Sequence, residues 1–149
     1  MPVMAVARFE RFFRTAASLD VDKDDLKRYS DFVNQKLYDM LIIGQATARA
    51  NGRDVIEPWD LPITKGLQES IHDFGDIDEE IELQPILHHL ATQRPMEASV
   101  TEATEARLPG IAGGLSIALA RTFTIVDPKL QNPQSEHWQR AFRIFDLLL

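Results

Sequence analysis

The sequence predicts an all-α protein made of two similar three-helix units clasped into one domain. Three observations carry that expectation. Residues 22–50 hold apolar side chains at helical spacing between a strong start signal and a strong stop signal. The only extended piece among them and their neighbours is the short run 53–56. The second half repeats the order of the first: a short helix, a long one of about twenty-seven residues, a connector, and a short closing helix with tryptophan in its first turn. Three helices cannot close a core around one long rod, whereas two such trios packed rod across rod can.

Taken in order, Val6, Phe9, Phe13 and Ala16 recur at helical spacing, with Arg8, Arg11 and Arg14 on the remaining surface, and predict a helix over residues 3–17. Asp22 is a strong N-cap. Asp25, three residues on, can return the hydrogen bond, and Val21 and Leu26 occupy the two staple positions. The apolar stripe continues through Tyr29, Val33, Leu37, Met40, Ile43 and Thr47 until Asn51 and Gly52 stop it. A rod of about 40 Å cannot bury its stripe against itself. With Phe32, Leu41 and Ile42 widening the apolar surface, this helix is expected as the central spine.

After the extended run, Pro58 suits a helix start. The helix restarts at Pro62 and carries Ile63, Leu67, Ile71 and Phe74 until Gly75 ends it. In the second half, Asp78 caps a helix carrying Ile81, Leu83, Ile86, Leu87 and Leu90, with Pro85 kinking it or lying in its first turns, and 93–95 ending it. Ser99 with Glu102 forms a capping box that opens a second long segment, ending at Asp127 and Pro128, with a bend or break near Arg107 imposed by Pro109. Ser135 caps a last helix whose stripe is Trp138, Ala141, Phe142, Phe145 and Leu148. Both Trp59 and Trp138 are expected in the shared core. The chain reads as one compact domain, 1–149, composed of units 1–75 and 76–149.

At 44% hydrophobic, the 149 residues can bury a sizeable core. There is no run of eighteen apolar residues and no signal peptide, and cysteine is absent, so a cytoplasmic protein without disulfides or thiolate chemistry is expected. Net charge is −7, and the whole excess lies in the second half: residues 1–66 balance ten basic against ten acidic, while 67–149 carry six against thirteen. Seven acidic residues and no Lys or Arg lie between Glu69 and Glu82, a segment that repels polyanions. It reads as a solvated acidic face, with a docking surface for a basic partner as the sharper alternative.

Signatures of catalysis are missing. His88 and His89 are neighbours on a helix, point about 100° apart and cannot grip one ion, and no HExxH pattern or i,i+4 histidine pair exists. His72 and His137 are isolated. Gly110, Gly113, Gly114 and Ser116 lie inside a helical pattern and lack both GxGxxG and the P-loop lysine, so close packing of two helices explains them best. There is no GxSxG and no cysteine nucleophile. No cofactor, metal, membrane association or small-molecule substrate is expected.

The run from Phe9 to Leu61 resembles the histone fold of archaeal histones. It shows a short helix, an acidic cap, a long helix, the turn Gly52-Arg53, the extended Val55-Ile56, and the pair Asp60-Leu61 in the closing helix. Residues 76–149 match in layout but lack the Gly-Arg and Asp pair, and the whole chain resembles a small bacterial family of tandem histone-fold proteins. The resemblance implies a single-chain pseudodimer in which Arg53 pairs with Asp60. It also implies self-association through Tyr38, Ile42, Trp59 and Leu67, and possible DNA contacts at Arg11, Arg14 and Arg53. Against DNA stand Asp20, Asp54 and Val55 at positions where histones carry basic residues or threonine, together with the acidic net charge. The expected function is a non-enzymatic protein-interaction or assembly module, with a protein partner or a second copy as ligand. A histone-like nucleoid DNA binder is the second reading, and an enzyme of unrecognised class is the third.

Overall fold

In the computed structural model, which describes residues 3–92 and 99–149, every regular element is helical. The order is α1 (Val3–Ala17), α2 (Lys23–Ala50), a 3-10 turn (Pro58–Asp60), α3 (Lys65–Ile81), α4 (Gln84–Thr92), α5 (Glu102–Val126) and α6 (Ser135–Leu148). The all-α class expected from the spacing is correct. Among the described residues the one β-type contact is an isolated parallel bridge between Ile56 and Val100.

Helix α2 starts and stops as its sequence specifies. The Asp22 carboxylate accepts from Asp25 N–H at 3.0 Å, and the Asp25 carboxylate accepts from Asp22 N–H at 3.0 Å. Gly52, at φ 73°, turns the chain away after Asn51. Helix α1 ends on a non-glycine left-handed residue, Ser18. There Leu19 N–H donates to Phe13 C=O and Ser18 N–H to Arg14 C=O, satisfying the last carbonyls.

Several boundaries differ from the sequence expectation, each for a local reason. Gly75 does not end α3: the helix runs on to Ile81 and stops at Glu82, which takes the left-handed conformation. A mid-helix glycine costs only about 1 kcal/mol, and burying Phe74 and Ile81 outweighs it. The unit boundary at 75/76 therefore falls inside a helix. Asp78 does not start the next helix; it lies in the last turns of α3, where its carboxylate accepts from Leu83 N–H at 2.5 Å. Pro62 precedes α3, whose N-cap is Thr64, accepting from Leu67 N–H at 3.2 Å. Ser99 is not the cap of α5: Thr101 accepts from Thr104 N–H at 3.2 Å, and Ser99 gives its carbonyl to Ile56 instead. Pro109 does not break α5, which is continuous across Arg107. Ser135 is the first residue of α6 rather than its cap, and His137 Nδ1 accepts from Gln134 N–H at 2.9 Å. Pro85 lies in the first turn of α4, as anticipated. The expected stop at 93–95 lies outside the described residues.

Helix α5, not α2, is the centre of the molecule. Thirteen of its 25 residues are buried, against eleven of 28 in α2, and it packs against all five other helices and the 3-10 turn. Helix α3 comes closest. A Cβ at Gly113 would lie 2.2 Å from the Phe74 ring, and one at Gly114 would lie 2.4 Å from the Ile71 side chain and 3.0 Å from its backbone nitrogen. The glycines are there because two helix backbones need the space.

The two halves are tied at both ends by their loops. Ile56 N–H donates to Ser99 C=O at 2.9 Å, and Ile56 C=O accepts from Thr101 N–H at 3.2 Å and from Thr104 Oγ1 at 2.8 Å. At the far end of α2, Asp20 N–H donates to Gln131 C=O at 2.6 Å. Between these junctions three polar links cross the interior. Trp138 Nε1 donates to Asp25 Oδ1 at 2.9 Å, the Tyr29 and Ser116 hydroxyls meet at 2.7 Å, and buried Lys36 binds Asp39 at 3.2 Å and also Asp146.

Trp138 is 1% exposed, but Trp59, expected in the core, is 73% exposed. In a 3-10 turn successive side chains point about 120° apart, and Pro58 and Asp60 take the inward directions. Leu148, expected on the buried stripe of α6, is also exposed. Trp138→Ala is expected to cost about 3–5 kcal/mol in chemical denaturation, and Trp59→Ala less than about 0.5 kcal/mol. Gly114→Ala should lose about 1–3 kcal/mol by overpacking against the α3 backbone, measured the same way.

Candidate functional site

A bidentate ion pair marks the junction after α2. Arg53 forks onto Asp60, with Nη1 to Oδ2 at 2.5 Å and Nη2 to Oδ1 at 2.7 Å. Asp60 Oδ2 also accepts from Glu57 N–H at 2.8 Å. The expected Arg53–Asp60 pair is therefore bidentate in the structure. Its cause is the turn: Gly52 reverses the chain and the 3-10 turn delivers Asp60 seven residues on. The Arg53 bond, aided by the Glu57 N–H, holds the Asp60 carboxyl below the usual carboxylate range, and Asp60 in turn raises the Arg53 pKa. The guanidinium also lies 6.0 Å from the Trp59 ring centroid. The pair closes the loop, and Arg53 Nη1 also donates to Val55 C=O at 3.4 Å.

The other two candidate DNA contacts stand on a different part of the surface. Arg11 and Arg14 are exposed on α1, 4.0 Å from Glu80 and 3.6 Å from Asp20 respectively. Arg14 and Asp20 precede α2 and Arg53 follows it, so about 40 Å of helix lies between them. The structure does not gather Arg11, Arg14 and Arg53 into one basic patch.

Of the four residues expected in self-association, Ile42 is 41% and Trp59 73% exposed, and Tyr38 is half-buried one turn before Ile42. Leu67 is 5% exposed and turned inward as part of the core cluster, so it is not available for association. Further exposed apolar side chains that the spacing did not single out are Ile125 and Leu147. The periodic pattern marks which face of a helix is apolar, not how far its neighbours reach along it.

The histidines do not assemble. His72 faces Asp76 at 4.0 Å, His137 faces Asp127 at 3.6 Å, and no group of three or more His, Asp or Glu suited to a metal occurs among the described residues. By length and composition α5 could cross a bilayer, but its apolar sides face the other helices. Two polar groups prove central: Lys36, which the sequence analysis did not single out, and Asp25, which it read only as a capping residue. Lys36 falls on the apolar stripe, three residues after Val33 and four before Met40, and that misplacement is its only sequence signal. Asp25 accepts from a tryptophan 113 positions away, and burial pushes its carboxyl up against the bonds from Asp22 N–H and Trp138.

Replacing Arg53 and Asp60 by alanine singly and together tests the junction. The losses should be non-additive in a thermal or denaturant cycle. Because Asp60 is depressed in the folded state, the stability it confers is present above the ordinary aspartate pKa and disappears on acidification through the lower folded value. The deficit of Arg53→Ala should therefore be full at neutral pH and shrink below about pH 4.

The geometry of the junction can be set beside proteins of similar sequence and shape. Two proteins of Aquifex aeolicus (strain VF5), both described as uncharacterized, are 30% identical over 108 residues and 33% identical over 109. The matches cover 72% and 71% of this chain and 63% of each relative, so the chain spans less than two thirds of their length. A crystal structure from Thermus thermophilus superimposes with a TM-score of 0.84 at 52% identity, covering 97% of both chains. One from Aquifex aeolicus gives 0.84 at 26% identity, covering 97% of this chain and 95% of that one. A family model matches residues 9–146, and the chain belongs to that family, the Domain of unknown function DUF1931.

Proposed function

We propose that this chain is a non-enzymatic assembly module in which two histone-fold-like units are clasped as a pseudodimer. The reading rests above all on the crosswise pairing of loops. The loop after α2 pairs with the loop before α5, through Ile56 with Ser99 and Thr101, while the loop before α2 pairs with the loop after α5, through Asp20 with Gln131. Two short–long–short helical units embracing head to tail would pair their loops in this reciprocal way. The forked Arg53–Asp60 bridge adds to it at the position where archaeal histones carry one.

Such a module works by presenting a rigid surface to another macromolecule. Ile42, Ile43 and Trp59 are exposed at the C-terminal half of α2 and the turn that follows, and large apolar groups left in water favour association. A second copy or a protein partner in the cytoplasm is the ligand this reading implies. The DNA-binding reading through Arg11, Arg14 and Arg53 is weaker, because each arginine has a carboxylate within 4.0 Å and duplex affinity rests on unneutralised cations. The enzymatic reading has no cluster of three or more His, Asp or Glu suited to a metal among the described residues to support it.

Light scattering across a concentration series tests association. The wild-type chain should exceed the mass of one chain as concentration rises, and the Ile43→Glu/Trp59→Glu double variant should remain monomeric. In the same preparations a random duplex at low salt should show no gel shift. A shift abolished by Arg11→Glu with Arg14→Glu would instead establish the DNA-binding reading.

A further inference from the structure

Of the three asparagines, Asn34 precedes glutamine and Asn132 precedes proline, whereas Asn51 precedes glycine. That neighbour decides the chemistry open to the amide. Asparagine is a thermolabile residue, consumed when the backbone nitrogen of the next residue attacks its Cγ. A proline nitrogen has no proton to lose, and a glycine has no Cβ to obstruct the approach. Asn51 and Gly52 are both exposed, and a Cβ built on Gly52 would meet nothing within 4 Å, so water and base reach this step freely.

The folded backbone holds the two reacting groups apart. The Asn51 side chain is turned back along α2, with Nδ2 donating to Thr47 C=O at 2.8 Å. The nucleophile, Gly52 N, has its hydrogen bound to Arg49 C=O at 3.0 Å, and Arg53 N–H follows it onto Ala48 C=O at 2.9 Å. Asn51 has ψ 18°, which places Gly52 N close to eclipsing Asn51 N rather than Asn51 Cβ. Ring closure needs the opposite: Gly52 N swung to the side of Cβ, with its N–H freed. Both changes undo the last turn of α2. The fork from Arg53 to Asp60 resists them, because it anchors the residue that directly follows the step.

We propose that Asn51-Gly52 is a spontaneous deamidation site that the fold keeps closed and that reacts only when the last turn of α2 opens. In the opened state Gly52 N gives its proton to base and bonds to Asn51 Cγ. The Cγ–Nδ2 bond breaks, and Nδ2 leaves as ammonia with a proton from water. Water then adds to either carbonyl of the succinimide ring and opens it to aspartate or isoaspartate. The net change converts one amide and one water into one carboxylate and one ammonium. Neither product restores the turn. The aspartate sets a negative charge against the Thr47 carbonyl to which the amide donated, at the negative end of a 28-residue helix. The isoaspartate routes the main chain through Cβ, which draws Gly52 and Arg53 away from the Arg49 and Ala48 carbonyls. One chemical event thus loosens the junction that carries the Arg53 fork and the Ile56 pairing, whether or not the chain self-associates.

Incubation of the full chain at mildly alkaline pH, native and in urea, tests the assignment, with peptide mapping by mass spectrometry and isoaspartate measured by enzymatic methyl transfer. In urea Asn51 should convert to a mixture of aspartate and isoaspartate while Asn34 and Asn132 persist. In the native chain the same conversion should be at least about tenfold slower, because it draws only on the opened fraction. Arg53→Ala and Asp60→Ala each release the fork and should speed native conversion severalfold while leaving the rate in urea unchanged. Circular dichroism melting verifies that each variant is folded at the incubation temperature. Chain converted in urea and refolded should melt below unmodified chain carried through a brief urea cycle. Persistence of Asn51 in urea overturns the site. Equal rates in native and unfolded chain, or no acceleration in the folded fork variants, overturn its closure by the fold, and an unchanged melting temperature overturns the loosening of the junction.

Discussion

The structure depends on enclosing α5. This helix is apolar around most of its circumference, with seven consecutive buried residues from Ile111 to Ile117, and it can exist in water only if other elements cover it on every side. Each part of the chain answers to that requirement. Helix α3 presses close enough to exclude any side chain at Gly113 and Gly114. Helices α1 and α4 close two more sides, and α2 and α6 complete the enclosure. A protein of this size gains stability mainly by such burial, and here one rod supplies the largest share of it.

Apolar burial alone does not dictate how two similar units register against each other, since greasy surfaces slide at little cost. The cross-links between halves supply direction. Asp25 serves twice, capping α2 through Asp22 and accepting from Trp138 of α6, so the helix start and the docking of the last helix are one event. Tyr29 and Ser116 join the two long helices through hydroxyls, and burial pushes the Tyr29 phenol up, keeping it neutral. Lys36 lies almost wholly inside, where its ammonium is bound by Asp39 and Asp146. Polar groups buried this way tolerate few alternative partners, which makes them determinants of register as well as of stability.

Local signals in the chain proved reliable where the physics is local. The Asp22/Asp25 box, the stop at Gly52 and the Arg53–Asp60 spacing involve residues within one or two turns, and all three are in place. Signals failed where a distant neighbour decided. Gly75 and Pro109 both look like breaks, yet the packing of α3 and α5 outweighs their intrinsic penalties. Ser99 and Thr101 are comparable caps in isolation, and the pairing of Ser99 with Ile56 selects Thr101. Trp59 follows the rule that tryptophan prefers the interior only until the 3-10 turn assigns the inward directions to its two neighbours.

What the sequence determined by itself is the helical class, the order of elements, the caps of α2 and the Arg53–Asp60 fork, because each rests on spacing within a few residues. The tertiary structure decided which long helix lies at the centre and where the halves touch. It also decided that Arg11 and Arg14 stand far from Arg53, and that Trp59 faces solvent while Trp138 is enclosed. These outcomes depend on pairs of residues up to more than a hundred positions apart, and nothing along a single chain records which distant surface a given face will meet.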